Sequence, residues 1–592
     1  MKISNVLCSR TAVVNRFTQR SHNCGQLRIQ NEGNRVLLKG WVSYKRYNKF
    51  FVLKDSYGTV QILTPEKMSG FMKDVPHESV VAVEGVVINR GENSNKSMAT
   101  GDIEVLAEDI QVLNLAPVNL PIHSKVDAQE QTKLANRFLD LRSERMQKNL
   151  RLRSQLIHEF RKILVENCGF VDVETPILSQ WTPGGAHEFI VPSGKIRGHF
   201  YSLPQSPQIF KQLLMVGGVD RYFQIAKCFR DEGSMQDRQP EFTQLDLEMS
   251  FAGQEDVIGL VEELIRSSWP DVLTDYVPQT PFKRMTYEQV MREYGTDKPD
   301  LRVPWKIFDC TQAMSSSPLK TFEDWKCQAF IAKGAVNYED KFRKREWKRL
   351  IQMKHDNAKW RAVNLHKENP FKNFDAESFI QINGVRENDI VVFSWGKLET
   401  CQETLGTLRN FVGEVGGMRS KGFEWLWVVD FPLFCIEDDQ LQSSHHPFTA
   451  PISEDLDKLK DKHDLTKIRA QHYDLVLNGS ELGGGSVRVH NCLLQRHIIE
   501  ILQLPIEPLE GFLQALSMGA PPHAGFALGI DRYIALLAAE GDSTASIRDV
   551  IAFPKTKEGR CLTTGAPSIP PEYVLDRYSI KVSEDAKEEK GY

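Results

Sequence analysis

Two patterns that would narrow the class of this protein early are missing from its sequence. The ten cysteines stand singly, without a Cys-x-x-Cys pair, so neither a zinc knuckle nor a disulfide framework is indicated. No apolar run approaches the roughly eighteen residues needed to span a bilayer, and the apolar segment 534–539 closely follows Asp531 and Arg532. We therefore expect a protein of a reducing compartment with no membrane span.

Acidic residues are also missing from the start of the chain, where none precedes Glu32. Within residues 1–23, the basic residues are Lys2, Arg10, Arg16 and Arg20. Such a composition is typical of a mitochondrial transit peptide, so we predict one at residues 1–23 and a mitochondrial matrix location. A basic tail without fixed structure is the alternative. The charged, apolar-poor end at 583–592 is expected to be disordered.

The composition is otherwise that of an ordinary globular protein. The chain has 592 residues, of which 41% are hydrophobic and 26% are charged, with a formal net charge of −4. This length predicts about three or four domains. Since the net charge is slightly negative, any RNA contact must depend on basic residues concentrated locally.

Residues 24–115 have the pattern of a small β-barrel. Five strand-like segments lie between turns: VLLKGWV, FFVLKD, TVQIL, SVVAVEGVVI and DIEVLAEDIQVL. Five strands fit an OB fold, which binds single-stranded nucleic acid by stacking bases on aromatic side chains. Tyrosines and basic residues alternate at 44–49, although strand aromatics also commonly face a core. We predict a nucleic-acid-binding barrel.

After a polar hinge at 116–145, an amphipathic helix is predicted over 146–167. Its apolar residues at helical spacing are Leu152, Leu156, Ile157, Phe160, Ile163 and Leu164. Gly169 ends the helix, and FVDVETPIL at 170–178 is predicted to form a strand. This helix and strand pack either on the chain's own core or on a second subunit.

The most informative stretch is 228–251, which has a strand–loop–strand pattern. Arg230 offers a guanidinium fork for a phosphate, and Phe242 a flat face for a base. Downstream, at 525–539, glycines lead into an apolar helix with Arg532 near its start, where anions are favoured. Either segment alone could be an ordinary surface ion pair or helix entry. Together they predict an ATP site.

These segments resemble motifs 2 and 3 of the class II aminoacyl-tRNA synthetases. The matching residues are FRDE and RQPEFTQLD in the first segment and GIDR in the second. QSPQIFKQLLM at 205–215 and LNGSELGGGSVRVH at 477–490 narrow the similarity to the aspartyl-tRNA synthetases of bacterial and organellar type. The resemblance extends from about Cys24 to about Val582.

The resemblance implies a multidomain α+β architecture with an N-terminal OB-fold β-barrel. The class II catalytic domain, built on an antiparallel sheet, is expected at 146–282 and 423–582, with an inserted α/β domain at 283–422. The resemblance also implies a homodimer joined through the motif 1 segment. The basic run at 341–350 is either a solvated helix face or a tRNA contact.

The implied activity is that of an aspartate–tRNA ligase. Such an enzyme converts L-aspartate and ATP to aspartyl-adenylate and transfers aspartate to the 3′ end of tRNA-Asp. Two alternatives remain open: an enzyme that also charges tRNA-Asn, and a catalytically silent RNA-binding relative.

The resemblance also implies roles for individual residues, with Arg230 and Arg532 as the catalytic cations. The implied ATP-binding residues are Arg230, Asp231, Glu232, Gln239, Phe242, Glu481, Gly529, Ile530, Asp531 and Arg532. The implied aspartate-binding residues are Ser206, Gln208, Lys211, Arg230, Asp246, His445 and Arg488. Phe50 and Gln61 are the implied anticodon contacts. Gly184 departs from the bacterial pattern, in which a glutamate closes over the substrate, and no role is assigned to it.

Magnesium is predicted at Asp474 and Glu481 on geometric grounds. If Asn478 and Gly479 form a two-residue hairpin turn, Val476 lies opposite Glu481, and the two carboxylates become diagonal neighbours about 7–8 Å apart at Cα. Two solvent-facing carboxylates are the alternative. Simple alternation would place Arg488 on the opposite face from Glu481 unless the glycines at 483–485 interrupt the pleat.

Overall fold

The computed structural model describes residues 17–47, 49–122, 128–233, 237–314, 324–338, 359–417, 419, 421–437, 439–461 and 464–583. Most of the predicted transit peptide and of the charged tail, and all of the basic run 341–350, lie outside these residues.

The N-terminal domain is a closed five-stranded barrel. Its elements are β1 (Arg35–Arg46), β2 (Phe50–Asp55), β3 (Gly58–Leu63), α1 (Glu66–Asp74), β4 (Val80–Asn89) and β5 (Ile103–Asn114). The strands close in the order β1-β2-β3-β5-β4, and alternate residues such as Phe51 and Leu53 fill the interior. All five predicted strands and the OB fold are confirmed.

Residues just before the barrel are folded onto it. The Ser21 amide donates to the Leu37 carbonyl at 2.9 Å, Arg20 forms an ion pair with Asp55, and Asn23 is buried. Cleavage at the predicted transit-peptide boundary, residue 23, would remove these contacts of the folded barrel, and the boundary stays a prediction.

The hinge ends in helices that are fixed to the catalytic domain: α2 (Glu130–Ala135), α3 (Arg137–Asp140) and α4 (Glu144–Lys162). The buried Arg137 guanidinium pairs with Asp140 and donates to the carbonyls of residues 548, 551 and 552. The predicted amphipathic helix is confirmed, since Leu156 and Phe160 of α4 are buried in the main core. A π-helical turn at Ile163–Asn167 extends it, and Gly169, with φ of +69°, follows its end.

The first part of the catalytic domain follows α4. Its elements are β6 (Val171–Asp172), β7 (Ile190–Pro192), β8 (Phe200–Ser202), α5 (Gln208–Val216), β9 (Arg221–Phe229), β10 (Glu241–Ser250), α6 (Gln254–Ser267), β11 (Lys283–Thr286) and α7 (Tyr287–Tyr294). Within the predicted strand 170–178, only β6 is paired in the main sheet.

The insertion is built on an antiparallel four-stranded sheet of order β12-β13-β15-β14. Its elements are β12 (Phe308–Asp309), β13 (Lys326–Ala332), β14 (Lys359–Val363), α8 (Ala376–Asn383), β15 (Ile390–Gly396) and α9 (Leu398–Val415). Its predicted start at 283 is too early, because β11 pairs with a strand of the catalytic sheet. The four residues of β11, KRMT, are too few to be recognised as a strand from the sequence.

The second part of the catalytic domain completes the main sheet. Its elements are β16 (Trp425–Val429), β17 (Phe434–Glu437), β18 (Gln440–Ser443), α10 (Lys458–Asp461), β19 (His472–Leu477), β20 (Ser480–Val487), α11 (Cys492–Ile501), α12 (Glu510–Ser517), β21 (His523–Gly529), α13 (Ile530–Ala538) and α14 (Glu572–Tyr578). The eight strands run in the order β11-β16-β19-β20-β21-β10-β9-β6, antiparallel except at the two edges.

One face of this sheet carries the main core. Side chains of α4, α6 and α13 pack there against alternate strand residues, including Trp427, Tyr473 and Phe526. The other residues of the central strands point away from this core and are available to form a site. Within the described part of the chain, no helix combines the length and apolar composition of a membrane crossing.

The two ends of the insertion meet at the turn between β19 and β20. The Asn478 amide donates to the carbonyls of Gly422 and Gly541, both at 2.9 Å. A Cβ built on Gly479 would lie 3.0 Å from Cβ of Asp300. Arg302 pairs with Asp300 and also donates to the Gly541 carbonyl. The insertion is thus fastened to this turn at its entry and its exit.

Candidate active site

A cavity of about 1170 Å³ opens on the face of the main sheet away from its core. Alternate residues of β10 show this division, since Leu245 and Leu247 lie in the core whereas Phe242, Gln244 and Asp246 line the cavity. The cavity walls also include parts of α5, β19, β20, α13 and the loop after β18. The volume exceeds the roughly 300–1,000 Å³ of ordinary ligand pockets, so two reactants can be held together.

One end of the cavity has two cations beside an aromatic ring. The guanidinium carbon of Arg230 lies 5.2 Å from the ring centroid of Phe242, and Arg230 Nε is buried with no hydrogen-bond partner among the described residues. Arg532, near the start of α13, donates to the Glu481 carbonyl and to the Asp237 carboxylate. The β9–β10 pairing and the start of α13 therefore bring together the two arginines that the sequence placed about 300 residues apart.

The side chains of four residues predicted to bind ATP contact other parts of the protein or lie outside the cavity. The Asp531 carboxylate pairs with Arg153 and accepts from the Thr243 amide at 2.9 Å, and the Ile530 side chain lies in the core. The Gln239 amide bonds the Lys555 backbone through both of its ends, and Asp231 is exposed and outside the cavity wall. ATP binding at Asp531 and Ile530 stays a prediction. Successive helical residues point about 100° apart, so consecutive motif residues cannot all face one ligand.

A buried cluster of four charges also borders the cavity. The Lys211 ammonium of α5 lies 2.8 Å from Asp246 and 3.1 Å from Glu248. Arg488 grips the same Glu248 carboxylate with two donors, at 2.9 and 3.2 Å. Lys211 and Arg488 come together as predicted, but each already has a carboxylate partner.

Glu248 was missed by the sequence analysis, although a signal for it existed. Asp246 and Glu248 are two carboxylates at i and i+2 that alternate with Leu245, Leu247 and Met249, which places both on one face. Burial opposes ionisation of Glu248, but the facing Arg488 and Lys211 cations lower its pKa to about 2. Burial raises the pKa of Asp246 against the effect of Lys211, and Asp246 Oδ2 has no hydrogen-bond partner within the described chain.

His446 is a second residue that sequence reasoning missed. Arg488 donates to His446 Nε2 and to Ser486 Oγ, both at 2.6 Å. Burial, and then the neighbouring Arg488 cation, lower the pKa of His446, so the neutral ring accepts this bond. The guanidinium is therefore held rigidly from three sides.

The hairpin of β19 and β20 forms as predicted. Asn478 and Gly479 have φ of +51° and +84°, and Val476 pairs with Glu481. The register then shifts, because Leu475 pairs with Gly483 and leaves Leu482 as the extra residue of a β-bulge.

This bulge explains the direction of Arg488. It places Gly484 opposite Asp474 and Ser486 opposite His472, so that even-numbered residues of β20 share the face of Glu481. Alternation alone would place Arg488 on the wrong face. The interruption of the pleat that the sequence analysis left open is thus present, but it lies at Leu482 and not at the glycines 483–485.

The predicted metal ligands lie together on the cavity wall. Asp474 Oδ1 is 2.7 Å from His472 Nε2, and Glu481 is 3.8 Å from the Lys298 ammonium. Burial, followed by repulsion from Glu481, raises the pKa of Asp474 to about 8. Two oxygen ligands whose charges are so poorly compensated fit a divalent cation.

The other residues predicted to bind aspartate also line the cavity. Ser206, Gln208 and His445 lie on its wall, and Gln208 Nε2 is buried without a partner in the described structure. Gly184 lies on the same wall with φ of +88°, and its carbonyl accepts from Gln205.

The barrel presents the two predicted anticodon residues on one face. Val52 pairs with Gln61, and Phe50 is two residues from Val52, so Phe50 and Gln61 are diagonal neighbours. The Gln61 amide donates to Glu104 at 2.6 Å. Lys45, grouped in the sequence with possible phosphate contacts, instead donates to three carbonyls at the end of α1.

Comparison with known families agrees with this fold. Residues 129–557 match the family described as tRNA synthetases class II (D, K and N), and residues 36–113 match the OB-fold nucleic acid binding domain. The chain belongs to the class II tRNA synthetases, and within them to the family of the aspartate–tRNA ligases.

Relatives that match nearly the whole chain support its assignment to the aspartate–tRNA ligases. The mitochondrial aspartate–tRNA ligase of Mus musculus is 45% identical, with 96% of this chain and 90% of that protein covered. The aspartate–tRNA(Asp/Asn) ligase of Dictyoglomus turgidum is 41% identical, with 96% and 100% covered. Among solved structures, the asparaginyl-tRNA synthetase of Pyrococcus horikoshii complexed with asparaginyl-adenylate has a TM-score of 0.58 at 19% identity. This match covers 90% of this chain and 98% of the Pyrococcus horikoshii chain, and it shows a shared fold.

Proposed function

We propose that this protein activates L-aspartate with ATP and transfers it to the 3′ end of tRNA-Asp. The carrying observation is that one cavity has two groups of charges on its wall. Arg230 and Arg532 line it together with Phe242, and Lys211 and Arg488 line it with their carboxylate partners. A nucleoside triphosphate and a small acidic amino acid match these two groups.

The first reaction needs positioning and fixed positive charge more than a general base. An oxygen of the aspartate α-carboxylate bonds to the α-phosphorus while the bond to the β-phosphate oxygen breaks and pyrophosphate leaves. Negative charge on the α-phosphate is stabilised by Arg230, and Arg532 holds the outer phosphates. Phe242 stacks under the adenine, and Glu232 contacts its amino group. In the second step the terminal tRNA hydroxyl attacks the acyl carbon and adenylate leaves.

Asp474 and Glu481 would hold magnesium, which neutralises phosphate charge when bound. The raised pKa of Asp474 supports this proposal, because a nearby dication would compensate the carboxylate that Glu481 opposes.

Selection of aspartate is proposed to depend on the four-charge cluster. The unpartnered Asp246 Oδ2 is available to the substrate ammonium, and the remaining donors of Lys211 and Arg488 are available to the side-chain carboxylate. Asparagine would bring a neutral amide to these cations and leave charge uncompensated, which disfavours it strongly in a buried site.

The direct test is aspartate-dependent ATP–pyrophosphate exchange by Arg230→Ala. We expect exchange to fall to background, while circular dichroism shows an unchanged fold. The matched control is Arg284→Ala. It removes an exposed arginine of β11 that pairs with Glu255 of α6, and this variant should catalyse exchange as the wild type does. Retained exchange in Arg230→Ala would remove this arginine from its role. Parallel assays with asparagine, lysine and no amino acid test the substrate.

The tRNA specificity is proposed to be for tRNA-Asp, read in part by Phe50 and Gln61. The bacterial relatives carry the name aspartate–tRNA(Asp/Asn) ligase, whereas the mammalian ones are named aspartate–tRNA ligase, mitochondrial. Acylation of both tRNAs decides the question, and equal charging would establish the broader enzyme. A silent RNA-binding relative is disfavoured by the intact set of cavity charges.

Location in mitochondria is proposed from the basic N-terminus together with the mitochondrial relatives. A fluorescent fusion of residues 1–40 is expected in the mitochondrial matrix, and a cytosolic signal would contradict the proposal. A homodimer is proposed from exposed apolar side chains around β6, the edge strand of the main sheet.

A further inference from the structure

Arg151 of α4 contacts the barrel at the turn between β2 and β3. Its guanidinium carbon lies 4.3 Å from the ring centroid of Tyr57, and the same group donates to the Ser56 carbonyl at 3.3 Å. All three residues are partly buried. A guanidinium that both covers an aromatic face and donates to a neighbouring carbonyl is held in one orientation. The proposed reaction leaves this contact between two domains without a role.

The turn that Arg151 contacts is itself firmly attached to the barrel. The Asp55 carboxylate accepts from the amides of Tyr57 and Cys24, both at 2.8 Å. A Cβ built on Gly25 would lie 2.1 Å from the Tyr57 carbonyl oxygen, so the two backbones are in direct contact. The turn therefore cannot move relative to Arg151 unless the barrel moves with it.

The same hairpin carries the proposed anticodon contacts. Phe50 of β2 and Gln61 of β3 lie toward the end of the hairpin away from its turn. Phe50 is six residues from Ser56, which is about 20 Å of extended strand. Because β2 and β3 are paired along their whole length, the hairpin connects the anticodon contacts to Arg151 as one stiff element.

The opposite face of α4 reaches the catalytic cavity. Arg151 and Arg153 are two positions apart, so their side chains point about 200° apart around the helix. Arg153 forms an ion pair with Asp531, whose carboxylate accepts from the Thr243 amide at 2.9 Å. Asp531 directly precedes Arg532, the proposed phosphate-binding cation. One helix thus contacts the barrel on one side and the wall of the cavity on the other.

Arg142, just before α4, makes a second contact with the barrel. Its guanidinium carbon lies 5.1 Å from the ring centroid of Trp41 in β1, and it pairs with Glu78 at 3.1 Å. Glu78 also pairs with Lys54 of β2 at 3.2 Å. A single contact would leave the barrel free to rotate about it. Arg151 and Arg142 together fix its orientation relative to the cavity.

We propose that Arg151 is a positioning residue for the transfer of aspartate to tRNA. It holds the barrel in the orientation that lets one tRNA place its anticodon on Phe50 and Gln61 and its 3′ end in the cavity. Two contacts with one ligand reinforce each other only when the geometry permits both at once. The inference rests on the proposed function, because it concerns the tRNA step of that reaction. Aspartate activation does not use the barrel, so that step is independent of Arg151.

The test compares the charging of tRNA-Asp with the charging of the same transcript carrying a substituted anticodon. In Arg151→Ala, we expect the ratio of the two kcat/KM values to fall about fivefold, as for the loss of one partly buried cation–π contact. Aspartate-dependent ATP–pyrophosphate exchange should be unchanged. A purely structural loss of active enzyme would lower both kcat/KM values equally and leave their ratio intact. The matched control is Lys148→Ala, at an exposed residue of α4 paired with Glu144, which should keep the wild-type ratio.

Tyr57→Leu tests the same contact from the side of the barrel. It should lower the ratio as Arg151→Ala does. Because the two residues act through one contact, the double variant should be no worse than either single variant. If circular dichroism shows that Arg151→Ala is misfolded, Tyr57→Leu decides the question.

Several outcomes would overturn the inference. These are a wild-type ratio in Arg151→Ala, exchange activity that falls in parallel with charging, and losses that multiply in the double variant. A wild type that charges both transcripts equally well would also overturn it, since no anticodon contact would then need positioning. A wild type that charges neither transcript would instead contradict the proposed function, and the inference with it.

Discussion

At the residue scale, Asp474 is expected to destabilise the metal-free protein as pH rises. Its folded pKa of about 8 lies above an unfolded value of about 3.9, so the folded state binds the extra proton between these values. Stability from this group is complete below about pH 4 and is lost as pH approaches 8. Asp474→Asn should therefore gain stability relative to wild type between pH 5 and 7.5, on the order of 1–3 kcal/mol.

Urea unfolding at the two pH values measures this difference. If the difference in free energy of unfolding between wild type and Asp474→Asn were the same at both pH values, the raised pKa of Asp474 would be contradicted. Addition of Mg²⁺ at pH 7 should also release a proton from wild type. Calorimetry in two buffers of different ionisation enthalpy detects this release, which Asp474→Asn should lack.

At the element scale, the hairpin of β19 and β20 was predictable at its turn but not in its strands. Asn-Gly is a strong local signal for a two-residue turn, and the predicted Val476 and Glu481 pairing is confirmed. The bulge at Leu482 depends on how three successive glycines fit between neighbouring strands, which is a tertiary effect.

The three glycines of β20 are expected to respond differently to an added methyl group. A Cβ on Gly483 or Gly485 would collide with backbone oxygens of β21, at 2.2 and 2.3 Å. A Cβ on Gly484 would instead meet the Asp474 carboxylate at 2.4 Å. Gly484→Ala should therefore retain the fold but lose most exchange activity, because a proposed metal ligand is displaced.

Exchange kinetics over a range of Mg²⁺ concentrations, together with thermal unfolding, measure the effect of Gly484→Ala. Gly259→Ala is the control, since the glycine lies in α6 with open space around its Cβ position. It should raise stability by about 0.5–1 kcal/mol without changing activity. Normal Mg²⁺ dependence in Gly484→Ala would show that the carboxylate accommodates the methyl group.

At the scale of the whole molecule, the order of domains followed from the spacing of recognisable motifs. The barrel, the split catalytic domain and the insertion occur in the predicted order. Boundaries are harder to predict. Residues 20–23 are fixed by contacts with the barrel, and β11 belongs to the catalytic sheet through pairing with a strand about 140 residues away, so neither is recognisable locally.

The exposed apolar side chains near β6 predict a dimer that one substitution should weaken. They are Val165, Val171, Ile177, Leu178, Trp181, Ile190, Phe200 and Tyr201. Val171, half exposed on the edge strand β6 itself, is the candidate anchor. Val171→Glu should shift the mass from light scattering toward that of one chain. Ile382→Glu, at an exposed apolar residue of α8, should leave the mass unchanged, and a monomeric wild type would contradict the proposal.

The attachment of both insertion ends to the Asn478–Gly479 turn has a consequence for shortening the chain. Asp300 and Gly422 contact neighbouring residues of this turn, so the ends are close and a short linker can join them. The entropy of closing such a loop changes slowly with its length. Domains of very different size, or none, could therefore be accommodated there during evolution, provided that the residues at the two anchor points are retained.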